Sequence, residues 1–361
     1  MRASLISAAV VAAVMVAVPA QPQTNRKWLS VDGERGDGQP KNAPPEQKPG
    51  EKPNSPDKPM TVEKVKEGLY VIRGPFSLCG PGGCRGDSPT VNTGLWHEAG
   101  DVIVRVTPAG VILVDDKFAW HAQELLEKVR SITPLPIKYV LNSHYHVDHN
   151  GANAAMIAQG ALIVTSRNMR DEFLGVGGGF MGGATVGNAS NPVPQIVFGG
   201  DFAALYLGGV EAQMWHFGRA HTGGDTFNYF PDLKVVHTGD CVMSGAPNID
   251  YQGGASMVNW AKVLYDVLKL DFDVVVPGHG PTYTKQYVLE YAQKIEILNQ
   301  RMLDLVKAGV AKEQAFDKLK TDDLGWSHTV STGAFKSSVP GYYDEMAAVL
   351  AAQTARGRAA K

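Results

Sequence analysis

Asn142-Ser143-His144-Tyr145-His146-Val147-Asp148-His149-Asn150-Gly151 places three imidazoles and a carboxylate within six residues. It follows Ile137 to Leu141, an apolar run with the length of a short buried strand. Imidazole nitrogen and carboxylate oxygen are the donors that bind zinc or iron near neutral pH. Four such groups crowded together are costly to bury unpaired, so the stretch reads as a metal site. Residues two apart in an extended segment point the same way, which lets His144 and His146 clamp one ion. Asp148 and His149 follow as the chain turns at Gly151 into the helical run Ala152 to Ala158, and the turn aims them at a second position. The blander alternative is a histidine-rich surface loop, which has no need of a strand before it and a helix after it.

Outward from this stretch the chain alternates strands and helices. Leu69 to Arg73 has strand character, and Val102 to Val106 with Val111 to Val114 form a hairpin pattern around Pro108-Ala109-Gly110, ended by Asp115-Asp116. Trp120 to Ile132 has helical spacing at Leu125, Leu126, Val129 and Ile132, stopped by Pro134 and Pro136, and Leu162 to Thr165 is the next strand. A second half repeats the theme. Strands are expected at Phe202 to Leu207, Val210 to Phe217, Thr226 to Phe230, Lys234 to Thr238 and Val274 to Val276, with a helix at Met257 to Leu268. Helices at Gln286 to Lys307, Ala311 to Leu319 and Tyr342 to Ala352 are expected to pack on the sheet and close the domain. Between the halves, Asp171 to Gln195 is a loop rich in Gly, Asn and Pro. Its Gly177-Gly178-Gly179-Phe180-Met181-Gly182 fits GxGxxG formally, but no strand precedes it and no helix follows, so it reads as a flap beside the site.

The organisation expected is a secretory signal at 1–20, a disordered Pro-rich tether at 21–60, a catalytic domain at 61–285 and C-terminal helices at 286–361. Met1-Arg2 starts positive, Leu5 to Val18 is almost wholly apolar, and Val18-Pro19-Ala20 offers small residues for cleavage. That run falls short of the ~20 residues a spanning helix needs, so no stable membrane insertion is expected after its removal. A periplasmic or secreted product follows. In an oxidising compartment Cys79 and Cys84 could close a small disulfide loop, or remain free thiols, leaving Cys241 single. A formal net charge of −2, with 44% apolar and 19% charged residues, gives no polyelectrolyte footprint. Nucleic acid is therefore not an expected partner, and a small-molecule substrate is. Oligomeric state is not legible.

Three further donors stand beside glycines at strand ends: His221 before Gly223-Gly224, Asp240 after Gly239, and His279 between Gly278 and Gly280. None would be convincing alone. With the first cluster they make five His and two Asp, the donor count of a dinuclear site. Asp225 is the best candidate to hold the His221 ring, with His216 and His237 as weaker ones, while His97, His121 and His328 read as surface or packing residues.

The His144-x-His146-x-Asp148-His149 motif, with His221, Asp240 and His279 in order and setting, resembles the metallo-β-lactamase superfamily over about Thr61 to Pro281, with Asp115 where that family keeps an Asp. The resemblance implies an α/β fold, a four-layer αββα sandwich with extra C-terminal helices here, and the site in the cleft between its halves. It implies two zinc ions, with iron as the alternative metal: His144, His146 and His221 on one, Asp148, His149 and His279 on the other, and Asp240 bridging. Two such cations ~3.5–4 Å apart lower the pKa of a shared water toward ~7, and Asp148 is the residue that would orient it for attack on an ester, lactone or amide-like bond. The best-known dinuclear β-lactamases have Cys or a non-ligand residue where Asp240 stands, whereas thioesterase-like, lactonase-like and phosphodiesterase-like members keep Asp. A dedicated β-lactamase and a mononuclear iron sulfur dioxygenase remain as alternatives. Pocket walls are expected from Ser77 to His97, Gly177 to Gly183, and Trp96, Trp120 and Trp215.

Overall fold

The computed structural model describes residues 59–74, 76–77, 97–98, 100–174, 193–326 and 332–359. The first half holds β1 (Thr61–Lys66), β2 (Leu69–Arg73), the short pair β3 (Phe76–Ser77) and β4 (His97–Glu98), β5 (Val102–Thr107), β6 (Gly110–Val114), α1 (Ala122–Ile132), β7 (Ile137–Leu141), α2 (Val147–Asn150), α3 (Asn153–Ala158), β8 (Leu162–Ser166), α4 (Arg167–Phe173) and β9 (Ile196–Phe198). The second holds β10 (Phe202–Leu207), β11 (Val210–Trp215), β12 (Phe227–Phe230), β13 (Val235–His237), α5 (Met257–Val267), β14 (Val274–Val276), β15 (Tyr283–Thr284), α6 (Lys285–Lys307), α7 (Ala315–Lys318) and α8 (Thr332–Ala359).

Beside the two-stranded β3-β4 pair, the described residues form two large sheets, one seven-stranded in the order β1-β2-β5-β6-β7-β8-β9 and one six-stranded in the order β10 to β15. The period-two alternation of each strand sorts its residues between three apolar layers. Leu69, Val71, Ile103, Ile112, Val114, Leu141 and Val164 meet Ala212, Met214, Phe230, Val235 and Val276 between the sheets. Their neighbours Ile72, Val104, Val111, Leu113 and Val140 face outward against Leu125, Leu126 and Val129 of α1 and Met156 of α3. Phe227, Val236 and Val275 face the other way, against Trp260 and Leu264 of α5, Tyr291, Ile295 and Leu298 of α6, and Tyr342 of α8. Helices, sheet, sheet, helices is the αββα order that the resemblance implies.

Where the structure departs from the sequence reading, packing explains it. Met60, placed at the end of the tether, is buried, and its N–H donates to Glu124 Oε1 at 2.7 Å. The helix expected from Tyr342 begins at Thr332 and runs through Pro340, because Phe335, Val339, Tyr342 and Met346 form one buried stripe. Trp120 stacks on Phe118 and is 37% exposed, whereas Trp215 packs with Phe217 on the outer, helix-covered side of its sheet. The signal segment, Cys79, Cys84, Trp96, Gly177 to Gly183 and His328 lie outside the described residues.

His121 is a packing residue, edge-on to Phe118 and Trp120. Burial, with Lys117 adding to it, lowers its pKa to about 3. An unfolded histidine titrates near ~6.5, so between those values the unfolded chain binds a proton that the folded one does not, and stability falls as pH drops below ~6.5. His121→Phe is expected to flatten this dependence. The check is the urea midpoint at pH 8 and pH 5, which should fall less in the variant than in the wild type.

Candidate metal centre

The two sheets bring the donors to one edge by the same device. Strands β6, β7 and β8 run parallel, as do β13 and β14, so the loops after them emerge on the same side. Asp115 follows β6, His144 follows β7, Asp240 follows β13 and His279 follows β14. Gly239 adopts the left-handed region (φ +49°), and its carbonyl accepts from Gly278 N at 2.7 Å, which locks the last two loops together. Across the cleft, Asp101 N donates to Gly278 O at 2.7 Å, and Arg73 Nη1 donates to both the Asp101 carboxylate and Gly280 O. Both carbonyls flanking His279 are thus held from the first sheet.

Two groups of donor atoms converge, each within 4.8 Å: His144, His146, His221 and Asp240 in one, Asp148, His149 and His279 in the other. His146 Nδ1 faces His221 Nε2 at 3.1 Å, and His149 Nε2 faces His279 Nε2 at 3.2 Å. Asp240 lies between the groups. Its Oδ1 is 3.3 Å from His149 Nε2, and its Oδ2 is 3.5 Å from His279 Nε2, 3.6 Å from His221 Nε2 and 4.0 Å from His144 Nε2.

The other nitrogen of each inner ring is already committed. His149 Nδ1 lies 2.8 Å from Asp115 Oδ2, His146 Nε2 3.0 Å from Asp250 Oδ2, and His221 Nδ1 2.6 Å from the Asn248 carbonyl. Each outer nitrogen faces an acceptor and so carries the proton, leaving the inner lone pair for a cation. His144 reaches the same carboxylate indirectly. Ser143 Oγ donates to Asp115 Oδ2 at 2.7 Å and lies 3.0 Å from His144 Nδ1. Asp115 therefore orients one ring in each group.

Electrostatics divides the groups. Burial, reinforced by neighbouring rings, holds His144 and His221 below the ordinary histidine value, in the neutral form that ligates. Burial opposes charge on His149 and His279 too, but Asp148 and Asp240 outweigh it, raising His149 well above its ordinary value and His279 to about 10. The same rings overcome burial at Asp148 and Asp240 and hold both carboxyls well below the usual range. The second group thus holds as protons the positive charge that a metal ion would replace. Buried His144 Nε2 and Asp240 Oδ1 have no hydrogen-bond partner among the described residues, and both point into the cluster. A donor set of imidazoles and carboxylates with orphaned inward atoms fits metal ions.

A profile described as the metallo-beta-lactamase superfamily matches residues 99–279, half of the 361-residue chain. The chain belongs to that superfamily. Its members are mostly hydrolases, and the His/Asp cluster gives this one a site suited to metal ions. Among known relatives of this superfamily member, the 2,4-dinitroanisole O-demethylase subunit alpha of Nocardioides sp. (strain JS1661) is 24% identical over 206 residues, 56% of this chain and 58% of that protein. The chain thus spans little more than half of that relative. A metallo-beta-lactamase type 2 of Elizabethkingia meningoseptica is 24% identical over 259 residues, 66% of this chain and 89% of that one. A solved metallo-beta-lactamase from Pontibacter korlensis shares 20% identity with a TM-score of 0.52, covering 65% of this chain and 99% of its own. For DIM-1 metallo-beta-lactamase exposed to ceftazidime the values are 16%, 0.51, 66% and 98%. At these identities the solved structures establish the shared fold.

Within the superfamily frame, sequence reading misplaced one support and missed others. Asp225 does not hold the His221 ring: its carboxylate accepts from Thr222 Oγ1 at 2.6 Å and from the N–H groups of Ala220 and Thr222, shaping the loop instead. His216 joins the Asp225 carbonyl to the Asn168 side chain, at 2.8 and 2.9 Å. Buried His237 accepts from Gly239 N at 3.2 Å beneath Asp240. Asn150, within the motif itself, donates to the carbonyls of His144 and His146 and fixes the bend between them. Asn248 and Asp250 carry no local sequence signal.

Proposed function

We propose that this protein is an exported dinuclear zinc hydrolase that opens a small ester, lactone or amide-like bond, β-lactams included. The observation that carries the reading is Asp240, whose two oxygens face donors of both groups at 3.3 to 3.6 Å. When bound, the metals would supply Lewis acidity and a water of lowered pKa. The chain's own residues supply the rest. Asp148, held ionised, is an acceptor that can orient an attacking water and take its proton. The side chains of His279 and Asp148 are 30% and 16% exposed, against at most 7% for the other donors, so substrate approaches from that side. Asp240 in place of Cys supports ester- or lactone-type substrates. The names of several relatives support β-lactams.

Metal analysis of the purified protein, combined with a panel of a chromogenic cephalosporin, a lactone, a thioester, a phosphodiester and 2,4-dinitroanisole, tests this. Close to two zinc per chain and hydrolysis of a carbonyl substrate are expected. Fewer than one metal per chain would sink the reading. Export is tested by N-terminal sequencing of protein from the periplasmic fraction of a bacterial host, where cleavage near Ala20 is expected.

A further inference from the structure

Helix α8 lies beyond the residues matched by the superfamily profile, yet one loop ties it to the first donor group. That loop, Asn248 to Ser256, holds two of the group's three rings: the Asn248 carbonyl takes His221 Nδ1, and the Asp250 carboxylate takes His146 Nε2 and the Tyr145 hydroxyl. Asp250 N also donates to the His221 carbonyl at 3.1 Å. The loop's other side rests on α8. Glu345 Oε2 accepts from the Tyr251 hydroxyl at 2.8 Å and from Met257 N at 3.0 Å, and Oε1 accepts from Ser256 Oγ at 2.6 Å. One carboxylate therefore grips the residue after Asp250, the end of the loop and the first turn of α5, where negative charge is favoured. Gly341, one turn earlier on α8, leaves room for the Tyr251 ring: a Cβ there would lie 2.6 Å from Tyr251 Cδ2.

We propose that Glu345 is a positioning residue for the His144/His146/His221/Asp240 group, so that docking of the C-terminal helix and metal binding at that group strengthen each other. It rests on the two-metal reading above. Groups hydrogen-bonded to a metal ligand, as Asn248 and Asp250 are here, change metal affinity by about 10- to 100-fold, and Glu345 acts on both through the loop that carries them. The coupling is reciprocal by linkage, so zinc at the first group also protects α8 from opening.

The test uses the full chain in two backgrounds: His279→Ala, which leaves the first group intact, and His144→Ala, which leaves the second. Zinc affinity is measured by chelator competition, with amide exchange in α8 followed with and without zinc. Glu345→Ala is expected to weaken zinc about 10- to 100-fold in the His279→Ala background, leave it within about twofold in the other, and abolish zinc-dependent protection of α8. Glu345→Gln, which keeps an acceptor oxygen, should recover part of the loss. Val129→Ala removes a buried contact of α1 in the outer layer of the first sheet, which neither the loop nor α8 joins, and controls for plain destabilisation. It should lower the melting temperature with zinc affinity unchanged. Equal affinity with and without Glu345 in the His279→Ala background, or an equal loss from Val129→Ala, overturns the proposal. Wild-type protein that binds no zinc overturns the two-metal reading itself, a different result.

Discussion

Asp148→Asn is expected to lower kcat/KM on the best substrate of the panel by about 10²- to 10⁴-fold, the range a positioned proton acceptor supplies. The substitution keeps shape and volume and changes only charge and donor pattern. Asp148 Oδ2 sits 3.1 Å from His279 Nε2 and 3.4 Å from His149 Nε2, so the second group loses its one private carboxylate. An amide there offers a neutral oxygen or an N–H, neither of which matches a carboxylate toward a cation or an attacking water. On the two-zinc reading, zinc content should fall toward one per chain, because the first group keeps its own converging carboxylate, Asp240. Asp115→Asn should be milder, since Asp115 acts through His149 and Ser143 and is not one of the converging donors. Steady-state kinetics with zinc content on the same preparations decide it. Asp148→Asn with two zinc and activity within tenfold of wild type would remove Asp148 from the mechanism.

The contrast between Asp148 and Asp250 shows where sequence reading succeeds. Asp148 lies among three histidines in one short stretch, so covalent connectivity alone nearly assembles half the site. His221, Asp240 and His279 were legible because glycine at a strand end marks a turn that exposes a side chain at a sheet edge. Asp250 lies 104 residues from the ring it holds, and the His221 ring is held by a backbone carbonyl, which any residue could present. Asp225 looked suitable because it is near His221 in sequence. The intervening Gly223-Gly224 turn folds it back onto Thr222 instead. The fold was legible for a related reason: strands buried on both faces read as apolar runs, and α1, α5 and α6 have clear helical spacing. At Pro340-Gly341 local propensity argues against a helix, and α8 crosses the pair because its stripe is buried on both sides of them.

Gly278→Ala is expected to disable the site without touching a donor. A methyl group on Gly278 would overlap Asp240 Oδ1, and would lie 2.8 Å from His149 Cε1 and 3.0 Å from the Gly239 carbonyl carbon. Neither side can give way cheaply. Gly278 N is bonded to Gly239 O, Gly278 O receives Asp101 N, and the strands feeding both loops are paired in parallel. The methyl must turn the Asp240 carboxylate away or spread the Asp240 and His279 loops apart, and either displaces donors of both groups. Overpacking of this kind costs roughly 1–3 kcal/mol of stability, which a domain with so large a core tolerates. The folded protein should therefore survive with kcat/KM down by about 10²-fold or more, since misplacement of ~1 Å already costs that much. Gly280→Ala makes the opposite comparison. A Cβ there meets only Tyr283 Oη at 3.5 Å, but the backbone sits at φ +103°, so strain lowers stability while the donors stay in place. Melting temperature, zinc content and kcat/KM measured on both variants separate the two effects. A fully active Gly278→Ala protein would mean that Asp240 does not need its present position between the groups.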